Sequence, residues 1–77
     1  MSNIKDRAGK IRDLMRDETF RDVMQGVRTE QVGVFLSSNA TIEDIEEAHQ
    51  IVVALDKIEA YMRTVLNDEA VYDKKNT

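Results

Sequence analysis

The one constellation in this chain with a metal-ligand spacing is Glu46-Glu47-Ala48-His49, which contains Glu-x-x-His. Di-iron carboxylate bundles place that spacing on facing helices, with further Glu residues opposite. Glu30 is positioned to lie across from it if the chain folds back on itself. Helical phase opposes the idea. At about 100° per residue, with Val52 marking the inward direction, His49 sits about 60° away and Glu46 about 120° away. Both cannot point inward together, so the stretch reads as a solvated acidic first turn beside a boundary His. His49 is the only His and Cys is absent. Conventional zinc sites and disulfides are therefore not expected, and no cofactor is assigned.

Catalysis finds no other foothold. The sequence has no nucleophile–base pairing, no Gly-rich phosphate loop and no two carboxylates on one core face. The chain is read as a non-enzyme.

The charges are unevenly spread. Residues 1–16 carry five basic residues (Lys5, Arg7, Lys10, Arg12, Arg16) against two acidic ones, a net +3. Residues 41–77 carry four basic against nine acidic, a net −5, and the whole chain is −4. A basic amphipathic segment is one way to meet nucleic acid or an acidic lipid surface. This one lacks the Trp or Phe of membrane helices, and the overall negative charge opposes nonspecific nucleic-acid binding. A helix-turn-helix reading fails because the helix after the loop is acidic where a recognition helix must be basic. Docking onto protein is the preferred role.

These residues need elements to position them, and the composition supplies helices. Pro is absent, and Ala, Leu, Met, Glu, Lys, Arg and Gln are abundant. Ile4, Ala8, Ile11, Leu14 and Met15 form one stripe, predicting a short helix over 3–15. Gly9 weakens it by about 1 kcal/mol. Asp17 is suited to cap a second helix over 18–36, whose inward face is Phe20, Val23, Met24, Val27, Val34 and Phe35, with Gln31 the polar exception. Val32 and Leu36 fall on the other side and suggest a second contact surface. Ser37-Ser38-Asn39-Ala40-Thr41 is the loop, with Thr41 as the next cap and Ala40 with Ile45 as a weak hydrophobic staple. The third helix is predicted over 42–66, ending at Asn67-Asp68-Glu69, with Ala70-Val71-Tyr72 as a possible extra turn and 73–77 as a disordered tail.

The fold class is thus all-α: an antiparallel helical hairpin with a short N-terminal helix, residues 1–77 forming one domain. The N-terminus has no apolar signal region, and no apolar run reaches the roughly 20 residues of a membrane span, so a cytoplasmic location is expected. Met15, Met24 and Met62 read as core filler, and Tyr61 as exposed.

A chain of 77 residues buries only about 60% of its unfolded surface and is marginal alone. The third helix carries Ile45, Ala48, Ile51, Val52, Leu55, Ile58, Met62, Val65 and Leu66, an arc wider than one partner helix covers. A homo-oligomeric bundle follows as an expectation, with Ile4, Ile11, Met15, Ile51, Leu55, Ile58, Met62 and Val65 as its interface. Whether the first helix docks on its own chain or on a neighbour stays open.

Five stretches also carry a resemblance: Leu14-Met15-Arg16-Asp17-Glu18-Thr19-Phe20, Val27-Arg28, Phe35-Leu36-Ser37-Ser38, Glu46-Glu47-Ala48-His49 and Ala54-Leu55-Asp56-Lys57-Ile58. Together they resemble a group of small proteins of tailed bacteriophages and prophages. The resemblance implies an accessory protein encoded near head-assembly genes, acting in the bacterial cytoplasm or in the virion. Its partners would be itself and a phage structural protein. The alternative is a small acidic inhibitor of a host enzyme or defence protein. No functional residues come with the resemblance.

Overall fold

The computed structural model describes residues 3–75 and consists of three helices, with no strand among the described residues. These are α1 (Ile4–Arg16), α2 (Glu18–Leu36) and α3 (Ile42–Lys75). The all-α expectation holds.

Short polar residues set each boundary. The Asn3 side chain accepts from the Asp6 N–H at 2.8 Å and caps α1, a role the sequence reading did not assign. Asp17 serves two helices at once. Its N–H donates to the Leu14 carbonyl at 3.1 Å, closing α1, and its carboxylate accepts from the Phe20 N–H at 2.7 Å, opening α2. One extended residue therefore separates the two helices. At the far end of α2 the Ser37 N–H bonds the Val34 carbonyl, and the Ser37 hydroxyl accepts from the Asn39 N–H. Thr41 and Asp44 then form a reciprocal capping box. The Asp44 N–H donates to the Thr41 hydroxyl at 3.1 Å, and the Thr41 N–H donates to the Asp44 carboxylate at 3.0 Å.

The third helix corrects the sequence reading. It does not stop near Leu66 but runs to Lys75, through Asn67-Asp68-Glu69 and Ala70-Val71-Tyr72. Asp73, Lys74 and Lys75, expected as tail, are helical; residues 76–77 lie outside the described residues. The physical reason is twofold. The polar triplet holds no Gly or Pro to break the ladder. Glu69 and Asp73 are also paired with Arg12 and Lys5 on α1. Lys74 and Lys75 suit the negative end of the helix dipole.

The cross-helix ion pairs order the packing. Lys5 meets Asp73, Arg12 meets Glu69, and Arg28 meets both Asp56 and Glu59. As numbers rise along α1 and α2, they fall along α3. α1 therefore docks on the C-terminal half of α3 in the same chain, and α2 on its N-terminal half. The molecule spans 57 × 22 × 21 Å. Its core is thin: Ala8, Ala48, Leu55, Met62 and Val65 are buried, with Gln31. Gln31 donates to the Val27 carbonyl at 3.1 Å, which satisfies its amide nitrogen inside the core. No helix among the described residues is long and apolar enough to cross a membrane.

Candidate interaction surfaces

The two sides of the α3 contact differ in chemistry. Taking Leu55 as the inward direction, Glu59 lies about 40° to one side and Ile58 about 60° to the other. Glu69 falls about 40° toward the Ile58 side and Asp73 close to the inward line, whereas the Glu59 side carries the ion pairs with α2. There the Arg28 guanidinium reaches Asp56 at 3.1 Å and Glu59 at 3.0 Å, and Glu59 also meets Arg63 at 3.4 Å. Beside them, Met15, Phe20, Met24 and Met62 floor a groove of about 260 Å³. The hydrogen bond to Asp56 raises the Arg28 pKa, while partial desolvation opposes it and Glu59 adds to the rise. Arg12 and Lys5 are raised in the same way, each first by its hydrogen bond to Glu69 or Asp73 and then by that carboxylate's charge. These cations stay charged at neutral pH.

The opposite side carries the Arg12–Glu69 pair toward the C-terminal end of α3. Glu30, Gln31, Val34, Asp44, Glu47 and Ile51 line an acidic groove of about 410 Å³ near the turn. At the other end of the same side, Ile4, Arg7, Val65 and Asp68 line a smaller groove. Between them Ile58 and Tyr61 stand exposed.

A third surface caps the turn end. Leu36 is 81% exposed and Ile42 76%, with Val32, Phe35 and Ile45 also exposed. Val32 and Leu36 were legible as off-face residues. Ile42 was missed, although its signal was present: it is an apolar first residue of a helix whose inward line begins elsewhere. The Ala40–Ile45 staple is loose, since Ile45 stays exposed while Ala40 is half-buried.

The expected interface residues separate into groups. Leu55, Met62 and Val65 are buried in the chain's own core. Ile4, Ile11 and Met15 are half-buried on α1, which docks on its own chain, and Ile51 is half-buried on α3. Ile58 is exposed. The arc of α3 looked wider in sequence because α1 was not assigned to it. Tyr61 is exposed. Glu46, His49 and Glu30 are all exposed, and no group of three or more potential metal ligands converges among the described residues.

What these surfaces can do chemically is bind other surfaces: apolar burial at the turn end and along α3, with charge to set orientation. Comparison with protein-family models, with curated proteins and with solved structures finds no match.

Proposed function

We propose that this is a non-enzymatic protein-interaction protein whose first partner is a second copy of itself. One observation carries the reading. Among the described residues, five apolar side chains are buried, whereas twelve large ones are exposed. A fold with so little inside and so much apolar surface outside gains by association, at roughly 25 cal/mol per Å² covered. In this reading the helical hairpin is the building block of an oligomeric bundle. The resemblance to small phage and prophage proteins supports a place in head assembly, with the apolar turn end free to meet a structural protein.

Sedimentation equilibrium at micromolar concentration tests the self-association. A mass above the 8.8 kDa of one chain is expected. A monomer at every concentration, with a cooperative melt, overturns the reading.

A second reading is a small acidic inhibitor of a host protein. The exposed carboxylates Glu30, Glu43, Glu46 and Glu47 around the turn favour it. Its mark would be a monomer that co-purifies with one host enzyme at fixed stoichiometry and loses it on Glu46→Lys with Glu47→Lys.

A further inference from the structure

We infer that the exposed apolar face at the turn end of the hairpin seats an amphipathic helix of a different protein, one whose apolar stripe is flanked by Lys and Arg. The inference rests on the interaction-protein reading and assigns this one surface to a partner other than a second copy.

The face is drawn by helical phase. The Arg28–Asp56 ion pair shows which sides of α2 and α3 share one face of the hairpin. Taking Gln31 as inward on α2, Arg28 lies about 60° to that side, with Phe35, Val32 and Leu36 about 40°, 100° and 140° to it. Taking Leu55 as inward on α3, Asp56 lies about 100° to the same side, with Ile45 and Ile42 about 80° and 140° to it. All five apolar side chains are exposed, Leu36 and Ile42 more than any other large apolar residue described. The ion pairs of α1 leave them uncovered, because they lie on the other half of α3, where Lys5 and Arg12 meet Asp73 and Glu69. Two helices that each present an apolar row on one face offer a seat for the apolar stripe of a third.

Charge selects the occupant. Residues 29–56 hold six carboxylates and no Lys or Arg, a net −6, while the rest of the chain carries eleven basic against nine acidic residues, a net +2. Glu30, Glu43, Glu46 and Glu47 are exposed and form no ion pair among the described residues. None of the four falls within the apolar face. Glu46 lies about 40° beyond Ile42 at its edge, and Glu30, Glu43 and Glu47 lie on the opposite side. A helix with basic flanks meets the two apolar rows with its stripe and the acidic surround with its charges.

A second copy does not supply this. Its turn half brings the same −6. Toward the other end of the molecule the same side of α3 continues with Arg63 and Asn67, which give an apolar face no complement. Nucleic acid and anionic lipid share the sign of the turn half and are repelled by it.

The probe is a synthetic helix of about 18 residues, with Leu at i, i+3, i+4 and i+7 spacing and Lys along both flanks. Two controls accompany it: the same residues shuffled to destroy the stripe, and the same helix with Glu for Lys. The full-length chain should bind the first in the micromolar range at low salt and each control at least about 10-fold more weakly. Leu36→Gln with Ile42→Gln should keep the far-UV helical signal, because both side chains are exposed, and weaken binding by about 10-fold or more. Glu43→Gln with Glu46→Gln should weaken it a few-fold and flatten its dependence on salt. Equal binding of the shuffled peptide overturns the inference, since charge alone then suffices. Binding that Leu36→Gln with Ile42→Gln leaves unchanged overturns it too, since another surface is then used. Sedimentation of the chain by itself separates these failures from failure of the self-association reading. A dimer that Leu36→Gln with Ile42→Gln dissolves puts a second copy on the turn end, which overturns the inference and leaves self-association standing. A monomer that binds the Lys helix as expected does the reverse. A monomer that binds none of the three helices overturns both.

Discussion

The Arg12 guanidinium on α1 holds both carboxylate oxygens of Glu69 on α3, across 57 residues of sequence, with the second contact at 3.3 Å. The Glu69 side chain is only 13% exposed, so the pair sits at the edge of the core and not out in solvent. It fastens the two ends of the described chain to each other and runs through the segment where α3 was expected to break.

Arg12→Ala should therefore loosen both helices together. Hydrogen exchange should rise across residues 4–16 and 67–75, with α2 and the first half of α3 protected. The melting temperature should fall, and more so for Arg12→Ala than for Lys5→Ala, whose partner Asp73 is far more exposed. Equal effects of the two variants would show that partial burial of the Arg12–Glu69 pair has no consequence.

Ala8 is fully buried, the most enclosed side chain among the described residues. α1 lies close to its neighbours because that residue is small. Ala8→Leu should overpack the contact and cost about 1–3 kcal/mol in chemical denaturation. Ala8→Gly, which keeps the approach close, should cost only about 1 kcal/mol, as helix propensity. A stable Ala8→Leu variant would mean that α1 is not held where the structure has it.

The reciprocal bonds between Thr41 and Asp44 start the longest helix immediately after the turn. Thr41→Ala should cost about 1 kcal/mol. Asp44→Ala removes the other half of the box and should add less on top of Thr41→Ala than it costs alone, because the two groups act as a unit. Strict additivity in the double variant would rule out the box as a cooperative cap.

Gly26 and Gly33 sit inside α2, and a methyl group added at either meets nothing within 4 Å. Gly26→Ala and Gly33→Ala should each stabilise the chain by about 1 kcal/mol, since only backbone entropy is at stake. A loss in stability would indicate that another chain approaches this side of α2 closely enough to need the missing side chain.

Gln31 is the one buried polar residue among those described, and its amide bonds a carbonyl four residues back. Gln31→Met keeps the volume and removes a bond of the weak back-bonding kind. The change in unfolding free energy should lie within about 1 kcal/mol of zero, on the stabilising side if on either. A loss of several kcal/mol would mean that the amide does more than fill the core.

Helix type, the turn at residues 37–41 and the caps at Asp17 and Thr41 were legible in the sequence alone. They depend on interactions within about four residues: hydrophobic periodicity, a short side chain bonding the N–H three residues on, and the absence of Pro. The off-face position of Val32 and Leu36 was legible for the same reason. Three things were decided only by tertiary structure. The end of α3 moved from Leu66 to Lys75 because Arg12 and Lys5, far away in sequence, hold Glu69 and Asp73. The docking of α1 onto its own chain was undetermined because an amphipathic stripe specifies a need for a partner and not which copy supplies it. The burial of Leu55, Met62 and Val65 within one chain follows from α1 and α2 together covering α3. Periodicity reveals which residues share a face; which faces remain open depends on how many helices the chain brings to bear on them, and that is a property of the assembled fold.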